Sequence, residues 1–246
     1  MSHDRFHDSA GVPWEGREFS QNQWSNDDGS CPPDLAAVLA TGKELGAVFE
    51  ALRGQRLLIP LLAQLGESEV GPNGLQVDKS AELSIVAVAT PNGGSAIPAF
   101  SSVAEMQKWR ADARPVPVGI EKLALAAVAE GHNQVILDPA SHAIGLRRPM
   151  LAALAQGVPW RSPEGNPEVR ELVEFAARGL DPIQGFSLVA ADPDGTLVQP
   201  ELLVMLKLKP GLGAQDLAAL LEEFTSRLQT ERYLQLVDSM GLKLVS

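Results

Sequence analysis

Asp138, Ser141 and His142 stand within five residues of one another. An acid, a hydroxyl and an imidazole at that spacing could act as base, nucleophile and proton shuttle. The run QVILDP, Gln134 to Pro139, reads as a strand, so the group would lie in the loop after a strand, where functional residues concentrate. A nucleophilic triad, however, also needs a rigid exposed turn and an oxyanion hole, and no Gly-x-Ser-x-Gly elbow occurs. Asp138 before Pro139 has a simpler assignment: the first position of a turn, bonding the backbone two residues on, with Pro fixing φ.

A second group is basic. Arg147 and Arg148 precede Pro149 at an expected helix start, and Arg161 stands beside Trp160. Two guanidinium groups at a helix N-terminus could hold a carboxylate or a phosphate, or could be an ordinary solvated surface pair. Trp109, with Phe100 before it, is expected to pack beside Val103 and Met106; stacking on a ligand is the alternative. His3 and His7 could offer only two metal ligands, on a segment that nothing else marks as helical. His132 follows a helix-ending Gly131 and reads as a residue of the capping region. GPNG and TPNGGS lack the context of a phosphate loop and read as turns, and DPDG lacks the acidic ladder of a calcium loop. The candidate ligand- or partner-binding residues are therefore Asp138, His142, Arg147, Arg148 and Trp109. No catalytic residue, metal site or cofactor is assigned.

These residues need elements to hold them. After Cys31-Pro32-Pro33, with Asp34 as N-cap, helical spacing runs from Leu35 to Gly54 with a break at Thr41-Gly42. RLLIPLLA, Arg56 to Ala63, reads as a buried strand that Pro60 pushes toward an edge. Gly66 to Ser80 is expected to be a loop. Leu83 to Thr90 is the next strand, and PNGG turns it tightly into AIPAF, which predicts an antiparallel meander of three strands. Ser102 and Glu105 form a capping box for a short helix through Trp109. ARPVPV, Ala113 to Val118, must be extended, because the residue before each Pro is. Helices over Ile120 to Glu130 and Pro149 to Gln156, each stopped by a Gly, flank the Gln134 strand.

PWRSPEGNP, Pro159 to Pro167, carries three Pro and one Gly and is the expected domain boundary. Beyond it lie a helix capped by Asn166, a hairpin of Ile183 to Ala191 and Leu197 to Lys209 around DPDG, two amphipathic helices and a last strand, Leu242 to Val245. The expectation is an α+β protein: a mixed, mainly antiparallel sheet with helices over residues 31–160, then a smaller α-β-β-α-α-β unit over 161–246. Residues 1–30 lack periodicity and have net charge -4 from six acids and two arginines, so a disordered acidic tail is expected. Its Phe6, Trp14, Phe19 and Trp24 admit a docking role.

The whole chain has 246 residues, 45% hydrophobic and 21% charged, with net charge -11. That balance suits a globular protein and repels polyphosphate backbones and anionic lipids, so neither nucleic acid nor membrane is an expected partner. The most apolar stretch, Leu57 to Leu65, is too short to span a bilayer, and the polar start resembles no export signal. One Cys allows no intrachain disulfide. A cytoplasmic location is expected.

The order of RLLIPLLA, the strands around PNGG, IPAFSS into a helix with Lys108 to Arg110, ARPVPV, and a helix into ILDPA resembles the N-terminal domain of SseB-family proteins, the actinobacterial branch most. The most specific pieces are Pro98 to Ser102, Trp109 to Val118 and Asp138-Pro139. The resemblance covers Arg56 to Gly157 and implies a fold; no reaction or catalytic set is attached to that family. With few His and no phosphate loop, the leading expectation is a non-enzymatic binding module whose N-terminal sheet and Pro-rich crossover engage a protein or small ligand. The alternative is an enzyme on a small amino-acid-like substrate, using Asp138, His142 and the Arg147-Arg148 pair. Exposed strand edges or the C-terminal helices would also allow a homodimer.

Overall fold

Strand β1, Arg56–Leu61, sets the first half of the fold, because it receives partners on both sides from distant segments. The computed structural model describes Trp24 and residues 26–42, 44–62, 86–129 and 131–245. Among the described residues two helices precede β1: α1, Pro33–Thr41, and α2, Leu45–Leu52, separated at the expected Thr41-Gly42 break. Pro32, not Asp34, occupies the N-cap of α1, with Asp34 inside the first turn. Helix α2 is capped by the Glu44 carboxylate, which accepts from the amides of Gly46 and Ala47.

The remaining elements of this half are β2, Val88–Ala89; β3, Ser95–Ala99; α3, Val103–Trp109; β4, Arg114–Gly119; α4, Ile120–Ala129; β5, Gln134–Leu137; β6, Ile144–Arg147; and α5, Arg148–Gln156. Strands β2 and β3 form the hairpin expected at PNGG, with Gly93 at φ 83°. Among the described residues the three-stranded meander is not present. β1 pairs antiparallel with β4, the Pro-rich segment, and touches the end of β3 only through a two-hydrogen-bond bridge between Leu58 and Phe100. Pro115 and Pro117 lack amide donors, and among the described residues β4 has β1 as its single strand partner, in keeping with the edge position of proline in a sheet. β3 pairs parallel with β5, which pairs antiparallel with β6, a strand that sequence reading did not anticipate. The expected strand at Leu83 is described only from residue 86, and of that part Val88–Ala89 alone is strand; the loop at 66–80 and the tail up to residue 23 lie outside the described residues.

After Pro159 a short 3-10 turn, Pro163–Gly165, leads into α6, Pro167–Ala177, capped by Asn166 as expected. Then come β7, Ile183–Ala190; β8, Leu202–Leu208; α7, Ala214–Leu228; α8, Glu231–Leu236; and β9, Met240–Val245. β8 is central, antiparallel to β7 and parallel to β9, the α7-α8 pair making the crossover that a parallel pairing needs. The order α-β-β-α-α-β is present. Strand β8, however, begins at Leu202, five residues later than expected.

Buried apolar side chains form two large clusters, one within Leu35 to Leu154 and one within Val169 to Val237. The chain has an α+β fold, with helices packed on mixed sheets. The residues between β7 and β8 join the two halves. Leu197, buried and held at φ 60°, packs with Ala96 and Ile136 of the first sheet, and Gly195 accepts a hydrogen bond from the Gly145 amide. A Cβ on Gly145 would meet Leu197 Cγ at 2.3 Å, so β6 can carry only glycine there.

Candidate functional site

The β5-β6 hairpin presents the sequence-nominated residues at its two ends. At its turn Asp138 is fully buried at φ 50°. Its carboxylate accepts from the Ser101 amide at 2.8 Å and the Ser101 hydroxyl at 2.7 Å, tying the turn to the segment after β3. That corrects the expected bond to the backbone two residues on: it is the Asp138 carbonyl that accepts from the turn, from the amides of Ser141 and Ala143. Burial pushes the Asp138 carboxyl above the ordinary range, although both Ser101 bonds pull the other way. Ser141 donates to Glu105 at 2.5 Å, so the hydroxyl faces a carboxylate of α3. His142 is half-buried beside the Glu105 and Asp138 charges. His132 lies 3.0 Å from the Ser95 hydroxyl.

At the other end of β6 stands Arg147, roughly 10 Å along the strand from Ile144 at about 3.3 Å per residue. The four nominated polar residues therefore do not converge. Arg147 is 3% exposed and points into the C-terminal half. Nη2 donates to Asp192 Oδ2 at 2.6 Å and to the Gln199 carbonyl at 2.7 Å; Nη1 donates to Ser239 Oγ at 2.9 Å and Asp238 Oδ2 at 3.2 Å. Burial works against ionised Asp192, but Thr196, Arg147 and the Leu197 amide outweigh it and hold the carboxyl below the usual range. Arg147 is thus a buried clasp between halves. With 3% of its surface exposed and four hydrogen bonds made, it stands apart from Arg148 instead of pairing with it.

Arg148 diverges from its neighbour. One of its nitrogens donates to the carbonyls of Leu234 and Val237, the latter at 3.3 Å. The side chain then forms one wall of a cleft of about 480 Å3 between α5, the segment after it and α8. Arg161 and Arg232 complete a basic rim, Trp160 and Leu236 add apolar surface, and no acidic residue lines the cleft. Arg232 holds Glu168 through two hydrogen bonds, at 2.5 and 2.6 Å, while Arg161 is exposed and has no hydrogen-bond or ion-pair partner among the described residues. The residues can hold an anion by charge-assisted hydrogen bonds, with a flat apolar group beside Trp160. Sequence reading found Arg148, and noted Arg161 beside Trp160. It missed Arg232, because nothing local marks a residue that lies across a fold.

Trp109 packs against Phe100, ring centroids 5.4 Å apart, in a small cluster with Leu58 and Met106. Two further buried groups were missed. Arg56, 4% exposed, binds Asp27 through two nitrogens and the carbonyls of Ser101 and Ser30, anchoring the segment before Cys31. Glu201 is 7% exposed, and its signal was visible as one acid inside the apolar run LVQPELLVML. Among the described residues no cluster of three or more His, Cys, Asp or Glu is placed to hold a metal ion, and no helix is long and apolar enough to cross a membrane.

Residues 34–153 match the family model described as SseB protein N-terminal domain. The match begins inside α1 and ends within α5, so it takes in the first sheet and stops short of the Arg161 and Arg232 walls of the cleft. Searches of curated proteins and of solved structures returned no match.

Proposed function

From an SseB-type N-terminal domain over residues 34–153 as premise, we propose that this chain is a non-enzymatic binding module that takes a small anionic ligand in the cleft between α5 and α8. One observation carries the reading: three arginines and no acid line a single cleft in a chain of net charge -11. A local basic surface in an acidic chain concentrates anions where the surrounding field would otherwise repel them. Trp160, Pro149 and Leu236 supply apolar contact, so a ligand joining a phosphate or carboxylate to a planar ring fits better than a bare anion. The dispersal of Asp138, His142 and Arg147 supports binding over the enzyme alternative. The reading assigns residues 31–160 and 161–246 as two units that share the cleft, working in the cytoplasm. The Pro98 to Ser102 and Trp109 to Val118 segments support placement near actinobacterial members.

Thermal-shift measurements on the full chain test this with phenyl phosphate, inorganic phosphate, benzoate and ethylammonium as probes. Phenyl phosphate should raise the melting temperature most and ethylammonium should not mimic it, and Arg161→Ala should suppress the phosphate response. Equal responses in wild type and Arg161→Ala, or no response to any anion, would overturn the assignment.

A further inference from the structure

On the other side of Trp160 lies a second, smaller cavity of about 170 Å3, lined by Glu44, Glu164, Asp192, Glu201 and Trp160 among others. The geometry points to a binding site for a primary ammonium group there, with Glu201 as its counterion and the Trp160 ring as its wall.

Three of the four carboxylates are already engaged. Glu44 caps α2, Glu164 accepts from the Ser162 hydroxyl at 2.6 Å, and Asp192 is held by Arg147, Thr196 and the Leu197 amide. Glu201 is different. Its Oε2 accepts from the Asp238 amide at 2.6 Å, and its Oε1 makes no hydrogen bond among the described residues although the residue is only 7% exposed. The indole Nε1 of Trp160, a donor, is buried without a hydrogen-bond partner among the described residues and can report on an occupant of the cavity. Glu201 lines the cavity, where its free acceptor can take a donor from an occupant.

The charges facing Glu201 from each neighbouring element show what is missing. Asp238 between α8 and β9 and Glu164 in the 3-10 turn repel its ionised form, Tyr233 of α8 lies close enough to feel its charge, and Asp192 and Glu44 share its cavity. Arg147 of β6 attracts it, but that guanidinium is committed to Asp192, Asp238, Ser239 and Gln199. Burial foremost, with the Asp238 and Glu164 charges, pushes the Glu201 carboxyl up to about 7. A small cation supplies the absent positive charge: an ammonium donates to Oε1 and rests against the indole face. At about 30 Å3 per water the cavity holds roughly six waters, which suits an ammonium head on a short chain.

The test is a titration of methylammonium chloride into the full chain labelled at the tryptophan indole nitrogens, with ionic strength held constant by sodium chloride. Trp160→Phe assigns the resonance. The Trp160 indole signal should shift saturably at pH 8. At pH 6 the apparent affinity should fall about tenfold, since only the ionised fraction of Glu201 is competent. Glu201→Gln should abolish the response. Absence of a saturable shift at pH 8, equal affinity at the two pH values, or retained binding in Glu201→Gln would each overturn the proposal. The pH comparison uses the unaltered chain, so it decides the matter even if a variant folds poorly. Anion binding in the neighbouring cleft is read separately, and either result can fail alone.

Discussion

Replacing Arg147 by Met should cost more stability than any other single change in the polar interface, because it empties a clasp without leaving a cavity. The guanidinium makes four hydrogen bonds, two of them to the carboxylates of Asp192 and Asp238. Asp192 keeps three donors after the change, two from Thr196 and one from the Leu197 amide, so it is weakened but not orphaned. Asp238, the Gln199 carbonyl and Ser239 each lose a donor, and Glu201 loses the one cation that favours its ionised form. Removing one partner of a buried ion pair costs about 3–5 kcal/mol, and Arg147 and Asp192 are both 3% exposed at their side chains, so the effect belongs in that range. Urea unfolding at pH 7, followed by circular dichroism and tryptophan fluorescence, measures it. A double-mutant cycle with Asp192→Asn should return about 1–3 kcal/mol of coupling, since neutralising the stranded acid recovers part of the loss. A loss below about 1 kcal/mol together with no coupling would refute the claim that this pair clasps the two halves.

Three further outcomes follow, two of them from the same interface. Gly145→Ala should destabilise the chain by about 2–3 kcal/mol, because Leu197 must leave its buried seat to admit the new Cβ, and chemical denaturation reads this directly. Glu201 binds its proton more tightly folded than unfolded, so the stability it confers is full below its unfolded value near 4.5 and is lost as pH rises through about 7. Glu201→Gln should therefore stabilise the chain by up to about 3 kcal/mol at pH 8 and by little at pH 4.5; a gain independent of pH would contradict the assignment. Asp138→Ala should cost about 2–3 kcal/mol by stranding the Ser101 amide and hydroxyl, while leaving anion binding in the cleft unchanged in calorimetry of the folded variant.

Local physics was legible where one turn of chain decides the outcome. The Thr41-Gly42 break, the Asn-Gly hairpin, the Ser102 and Asn166 caps and the Gly157 stop each depend on neighbours within four residues, and each is present. Serine 102 caps Glu105, yet the Glu105 carboxylate turns to Lys108 and Ser141 instead of closing the capping box. Long-range pairing was not legible. β1 pairs with β4 across a span of more than fifty residues, and alternation along β1 does not say which segment will lie beside it. β6 escaped notice because a four-residue strand containing Gly145 offers too little pattern to detect. Leu197 to Glu201 read as strand from its apolar residues, whereas Leu197 packs against Ala96 and Ile136 of the first half and Val198 is exposed. The same limit governs the site. Arg147 and Arg148 look identical in sequence, but adjacent residues at a strand-helix junction point in different directions, so one is clasped in the interface and the other reaches the cleft.

Isothermal titration of phenyl phosphate into the full chain decides whether the basic cleft between α5 and α8 binds an anion. Wild type should give a saturable isotherm that weakens about tenfold or more in Arg161→Ala, the loss of one charge-assisted hydrogen bond of about 1.5–3 kcal/mol. Identical isotherms for the two proteins, or no heat of binding from wild type, would contradict the account.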